Sequence, residues 1–271
     1  GLQLLSIFIL LNSTSIFSFL KKVKQLRSEF VKQFKPDMVI ASSTYPFDTL
    51  IANSIARAAG ARFVYEVHDL WPLTPMEVGG MSRWHPFIMA MQWAENFGYK
   101  HADKVVSLLP KAKEYMQLHG MSADKFSYIS NGVAVNDWLN SQQSIPDEHL
   151  KLFQELRAQG KFVLAYAGGM GDANALDYFL DACKSIDPQV ALLLVGDGPN
   201  KARLIERVQQ ENLQNVHFMP AIGKMQIPAF LSACDALYIG WNNLPIYRFG
   251  ICPNKLFDYM LAAKPLIHSV T

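Results

Sequence analysis

Cysteine is scarce in this sequence. Three occur in 271 residues, Cys183, Cys234 and Cys252, an odd number without a CxxC pair. That argues against a disulfide framework or a zinc site and points to a reducing cytoplasm. Cys183 and Cys234 lie in helical patterns and read as core thiols, whereas Cys252 has no base beside it in sequence to make it a nucleophile. Net charge is also lacking: at +2 it is too small to argue for nucleic acid. GxGxxG is absent, which disfavours a plain NAD-binding domain. No cluster of metal ligands occurs, so neither metal nor cofactor is expected. The opening run, "GLQLLSIFILLNSTSIFSFL", has no basic region before it and no small-residue cleavage site after it, so it is not a signal peptide. Residues 2–20 approach the length of a membrane span, but Asn12, Ser13, Thr14 and Ser15 interrupt them. A buried or interface-lying helix is expected there. The initial Met is missing and the last residues, "PLIHSVT", follow directly on an apolar run, so both ends read as cut.

What is present suits a globular chain of two domains: half the residues are apolar and 18% are charged. Between Leu20 and Lys35 stand Lys21, Lys22, Lys24, Arg27, Lys32 and Lys35 against Glu29 alone. This is either a solvated helix face or a basic face held against an anionic membrane.

Apolar runs alternate with helical patterns along the chain. A helix end and then a strand are expected over 36–43, strands at 62–69 and 104–109, and a strand with a turn over 125–133, with helices at 47–60, 87–101 and 111–120. Gly60 and Gly120 are helix stop signals. The polar stretch "AVNDWLNSQQSIPDEH" reads as a linker, and helix "LKLFQELRAQG" follows it. A second series has strands at 162–169, 190–198, 215–220, 235–240 and 265–270, with helices near 174–186, 199–211, 224–233 and 254–262. The expected organisation is a first domain over 1–133, a linker with connecting helix over 134–160, and a second domain over 161–271. The fold class is α/β, two doubly wound Rossmann-like domains with an interdomain cleft at the strand ends.

Four strand-end loops carry candidate chemistry. In "WNNLPIYRFGICPNKLFDYML", Pro253 suits a first helical position, and Arg248, Asn254 and Lys255 gather at the helix start. Cations plus exposed N–H groups there could bind a phosphate; surface charges around a helix cap are the alternative. Asp258 lies one turn on, on the same face as Asn254. "YAGGMGDAN" places Gly168, Gly169 and Gly171 between strand and helix, and "VGDGP" does the same with Gly196, Gly198 and Pro199. A tight turn explains the second as well as a ligand does. "YEVHDLWP" sets His68 and Asp69 at a strand end, where Asp69 could orient the imidazole ring and Glu66 shares the strand face.

Taken in order, "VHDLWP", "ISNGV", "AYAGGMG", "LLLVGDGP", "NVHFMP", "CDALYIG" and "FGICPNKLFDYMLAAKPLI" resemble the retaining glycosyltransferases of GT-B architecture, in glycosyltransferase family 4. The bacterial N-acetylfucosaminyl transferases of capsule and O-antigen assembly are especially similar. The resemblance covers about 36–271. It implies a nucleotide-diphosphate sugar donor, UDP-linked, held mainly by the C-terminal domain, and an acceptor side in the N-terminal one. Gly168 and Gly169 would lie near the diphosphate and Gly196 to Pro199 near the base or ribose. Asn254, Lys255 and Leu256 would hold the diphosphate, with Arg248 nearby. Asp258 matches the second acid of the family's Glu, seven residues, Glu motif. His68 matches the histidine that contacts the transferred sugar; His68 and Asp258 are the candidate catalytic residues. A polyprenyl-diphosphate-linked or saccharide acceptor is implied, at the inner face of a bacterial plasma membrane. Two departures stand out. Gly250 occupies the place of the first acid, and Asp172, Ala173 and Asn174 stand where a basic pair follows the glycine turn, leaving Arg248 and Lys255 to supply the charge. The family's first strands and closing helix are missing. Alternatives are a nucleotide-sugar 2-epimerase or a non-catalytic nucleotide-sugar-binding module.

Overall fold

The computed structural model describes residues 4–7, 13–42, 44–141 and 143–269. It divides into two compact units: residues 1–130 with 244–252, and residues 131–243 with 253–271. In the first, β1 (Leu4–Ile7), α1 (Ser13–Phe34), β2 (Met38–Ser42), α2 (Asp48–Ala59), β3 (Arg62–Val67), α3 (Leu73–Glu77), α4 (Pro86–His101), β4 (Lys104–Ser107), α5 (Lys113–Leu118) and β5 (Phe126–Tyr128) follow in order. The five strands form one parallel sheet in sequential order β1-β2-β3-β4-β5. Its core gathers Val39, Ala41, Phe63, Tyr65 and Val67 from the strands, Ile51 and Ile55 from α2, and Phe249 from the segment 244–252. Gly60 takes the left-handed conformation, φ 66°, that ends α2 as expected.

The opening run does not form the single helix expected over 2–20. β1 pairs with β2, and α1 begins at Ser13. Residues 1–3 and 8–12 lie outside the described residues. Ser13, Thr14 and Ser15 are the first residues of α1 rather than the interruption of a helix. The basic segment belongs to α1, whose last residue is Phe34.

In the second unit come α6 (Val135–Leu139), α7 (Asp147–Ala158), β6 (Phe162–Ala167), α8 (Leu176–Cys183), β7 (Val190–Val195), α9 (Lys201–Gln210), β8 (Val216–Met219), α10 (Ile227–Ala233), β9 (Ala236–Gly240), α11 (Asn254–Ala262) and β10 (Leu266–Ser269). The parallel sheet runs β10-β9-β6-β7-β8. Strands such as "FVLAYA" and "VALLLV" are almost wholly buried because helices cover both sheet faces, which is why they read as continuous apolar runs. Cys183 and Cys234 are core thiols, each donating to the carbonyl four residues back. The linker is less irregular than expected: α6 forms inside it, and α7 starts at Asp147, where Asp147 and Glu148 favour the positive end of a helix.

Candidate functional site

In the second sheet the strand order reverses between β6 and β9, and parallel α/β sheets open a crevice at such a point, beyond the carboxyl ends of the strands. Helix α11 is fastened to that edge. Ala167 N, the last amide of β6, donates to Tyr259 Oη at 2.8 Å, and the hydroxyl donates to Ala167 O at 3.2 Å. Lys255 lies one turn earlier on the same face of α11, so its side chain reaches the turn after β6. Its ammonium donates to Tyr166 Oη at 2.8 Å and Asn174 Oδ1 at 2.7 Å, and it sits 4.4 Å from the centre of the Tyr166 ring. The Tyr166 hydroxyl donates to Gly169 O. Burial lowers the Lys255 pKa to about 8. A partly desolvated cation at the start of a nine-residue helix, beside a glycine turn, is an arrangement suited to an anion.

The glycines in these loops divide into two kinds. A Cβ on Gly196 (φ 146°) would lie 1.9 Å from Gly168 O, and one on Gly198 (φ 155°) would lie 2.6 Å from Met170 O. Their glycine character is therefore demanded by the loop after β6 crossing the loop after β7. Met170 N donates to Asp197 O at 2.8 Å and Asn200 N to Met170 O at 3.0 Å across this contact. Gly169, in contrast, has nothing within 4 Å of its added Cβ, so its approach side is open. At Gly168, an added Cβ would lie 3.0 Å from Lys255 Nζ. Asp172 joins the loops: its carboxylate accepts from Asn200 Nδ2 at 2.6 Å and its carbonyl accepts from Asn242 Nδ2.

Pro253 takes the N-cap of α11, one place before the position expected for it, and Asn254 opens the helix exposed to solvent. Leu256 packs onto the core. Asp258 is half-buried beside a small cavity with Trp138 and Lys224. Burial raises its pKa, with the Lys224 charge acting against the shift.

Arg248 and Gly250 belong to the first unit, while Asn254 and Lys255 belong to the second. The Arg248 guanidinium grips Glu77 of α3 with both amino groups, at 2.7 and 2.8 Å, and stacks on Phe249. Gly250, where an acid was expected, has φ 98°, and a Cβ there would come within 2.7 Å of Pro110. The position has no room for a carboxylate side chain.

His68 follows β3. Its Nε2 lies 3.1 Å from Ser42 Oγ and 3.3 Å from Glu66 Oε2. Glu66 and Ser42 hold the ring, while burial raises the pKa of the neighbouring Asp69, with the His68 charge acting against the shift. A cavity of about 560 Å³ in the second unit is lined by Lys161, Lys184, Asn215 and His217, residues around the amino ends of the strands. None of the candidate residues borders it. Tyr166, Tyr259 and Asn174 were not foreseen as site residues; the i, i+4 spacing of Lys255 and Tyr259 was the one available signal.

Residues 12–132 match the Glycosyl transferase 4-like domain family, and residues 161–271 match the Glycosyl transferases group 1 family. Each half thus matches a family of glycosyltransferase domains. A protein of Escherichia coli K12 bearing the name colanic acid biosynthesis glycosyl transferase WcaI is 23% identical over 267 residues, covering 92% of this chain and 60% of its own length. An uncharacterized glycosyltransferase of Methanocaldococcus jannaschii is 23% identical over 242 residues, 84% of this chain and 56% of its own. This chain thus spans about three fifths of the length of the curated relatives it matches. Among solved structures, Anabaena HepE in complex with UDP aligns with a TM-score of 0.68 at 19% identity, over 92% of this chain and 64% of that one. Sucrose-phosphate synthase from Thermosynechococcus elongatus gives 0.69 at 16% identity, over 97% and 63%. The fold of this chain is GT-B, two Rossmann-like α/β domains.

Proposed function

We propose that the chain moves a sugar from a UDP-linked donor to a lipid-linked or saccharide acceptor, with retention, in the assembly of a surface polysaccharide at the inner face of a bacterial membrane. The observation that carries this reading is Lys255: a half-buried ammonium, fixed by Tyr166 and Asn174, at the crevice between β6 and β9. It stands in for the basic pair that Asp172 and Asn174 replace, with the cation delivered from α11 rather than from the glycine turn. The Gly168–Gly169 turn would receive the diphosphate, together with Asn254 and the start of α11. Gly196 and Gly198 would border the nucleoside through the loop they shape. Asp258 would meet the ribose, and Arg248 would serve the diphosphate once drawn from Glu77. UDP in the HepE structure and colanic acid biosynthesis in the WcaI name support the donor and the pathway class.

The chemistry follows from charge. The bond from the sugar's C1 to the phosphate oxygen breaks with its electron pair going to the diphosphate, which Lys255 and the helix start stabilise. The acceptor oxygen bonds to C1 on the face the phosphate left, and its proton passes to a phosphate oxygen. His68, steadied by Glu66 and Ser42, would position the sugar and favour the developing positive charge. Transfer from a panel of UDP-sugars to polyprenyl-diphosphate-linked and free saccharides tests this, with product configuration read by NMR. Retained configuration is expected. Inverted products, or a donor epimerised at C2 without acceptor, would overturn the reading.

A further inference from the structure

The first unit carries an apolar and basic surface that the transfer reaction does not use. We infer that the outer face of α4, with the cations of α1 and α2 beside it, docks on an anionic lipid bilayer. This deepens the membrane part of the proposed function by naming the surface, but it rests on features outside both candidate binding sites. Gly98 lets α4 press against α2 and β3, where an added Cβ would lie 2.8 Å from Thr49 and 2.9 Å from Tyr65. That contact turns the opposite arc of the helix outward. On it, Met89 is 52% exposed and Trp93 59% exposed, with the Phe97 ring tilted against Trp93 at 6.2 Å further along. Trp84, 68% exposed, precedes the helix with the Arg83 guanidinium 4.7 Å over its ring. Lys100 is exposed on the same arc. More than half of each of these two indoles and of the methionine faces solvent, and a tryptophan beside cations is the usual composition of a surface held at the lipid headgroups.

Charge decides what covers it. The helices α1, α2 and α4 form neighbouring pairs on the first sheet. Their exposed cations are Lys21, Lys22, Arg27, Lys32, Arg57 and Lys100, and among their described side chains Glu29 is the one exposed acid, since Asp48 and Glu95 are buried. Helix-dipole complementation accounts for Lys32, Arg57 and Lys100 in the last turns. Arg27 donates to Ser54 Oγ of α2 at 2.8 Å, but neither that contact nor the dipole accounts for Lys21 and Lys22, which sit mid-helix. Among the described residues no helix is long and apolar enough to cross a membrane, so contact through this face is interfacial, an apolar stripe set at the headgroup level with cations against anionic lipid.

The test is sedimentation of the full chain with extruded vesicles of phosphatidylcholine, alone or with phosphatidylglycerol, at low and high salt. Binding to the anionic vesicles alone, weakened by salt, is expected. Lys21→Gln with Lys22→Gln should weaken it about fivefold per cation. Trp84→Gln with Trp93→Gln should remove it, together with the quenching of tryptophan fluorescence by lipids brominated in the acyl chain. Unaltered thermal unfolding of these surface variants confirms that they fold. Equal binding to neutral vesicles, no binding, or full binding by the tryptophan variant overturns the proposal. So does sedimentation velocity showing a wild-type dimer that the tryptophan variant dissolves, because a second copy would then be the occupant. None of these readouts needs donor or acceptor, so the docking surface can fail while the transferase reading stands, and the reverse.

Discussion

Replacing Lys255 by Met removes the ammonium while keeping most of the buried stem. In the free protein that ammonium spends its charge on two neutral oxygens, Tyr166 Oη at 2.8 Å and Asn174 Oδ1 at 2.7 Å. A charge-assisted hydrogen bond to a phosphate oxygen is worth about 1.5–3 kcal/mol, so Lys255→Met should weaken UDP binding about 10- to 150-fold. The same residue sets the pH dependence. With a pKa of about 8 it is charged in roughly nine molecules of ten at pH 7 and roughly one in ten at pH 9. UDP affinity should therefore fall as pH rises through 8, by at most about tenfold per unit. Stability moves the other way. The unfolded chain holds this proton up to about 10.5, the folded chain only to about 8, so between those values the unfolded state binds more protons and unfolding becomes costlier as pH rises. Below pH 8 the whole burial cost is present, at most about 3 kcal/mol. Lys255→Met should be at least as stable as wild type at pH 7 and should lack the rise above pH 8. Calorimetric titration with UDP from pH 6.5 to 9.5, beside thermal unfolding over the same range, reads both effects. Affinity that stays flat across pH 8, or a variant that binds UDP like wild type, would refute the role given to Lys255.

Tyr259→Phe removes the hydroxyl that both accepts from and donates to Ala167, leaving a buried amide without its partner; about 1–3 kcal/mol of stability should be lost, read as a fall in Tm of several degrees. Gly196→Ala drives a methyl into Gly168 O and should unfold the second unit or lower its Tm sharply, whereas Gly169→Ala meets nothing and should leave Tm unchanged while weakening UDP binding. Equal effects of the two on Tm would contradict this division of the glycines. Glu95 is fully buried among Tyr99, Tyr115 and Gln92, and burial raises its pKa to about 8. Its folded state binds the proton more tightly than the unfolded one, so stability of the first unit should fall as pH rises from about 4.5 to 8. Glu95→Gln should flatten that slope in thermal melts.

The second sheet was legible because its strands are buried on both faces and the helices α7, α9, α10 and α11 begin near proline. "FVLAYA" and "VALLLV" need no partner in view to be read as strands. The opening run and the linker were misread for a shared reason: short polar residues end one element and start another, and local pattern does not say which. At the site, Lys255 and the glycine turn were visible because charge and glycine at a strand end are local signals. The partners that give Lys255 its geometry were not, since Tyr166 and Asn174 lie more than eighty residues away. Arg248 shows the same limit. Its position in sequence, beside Asn254 and Lys255, suggested a cluster at one helix start, but its guanidinium is held by Glu77, 171 residues earlier. Gly250 was seen as a departure, and the contact with Pro110 supplies its cause.

Hydrogen exchange with and without UDP tests the location of the donor most directly. Peptides covering 166–174 and 253–262 should exchange more slowly when UDP is present, while those covering 184–190 and 212–217, which border the cavity at the amino ends of the strands, should not change. Protection confined to the latter pair, or no protection anywhere at saturating UDP, would contradict a donor held between β6 and α11.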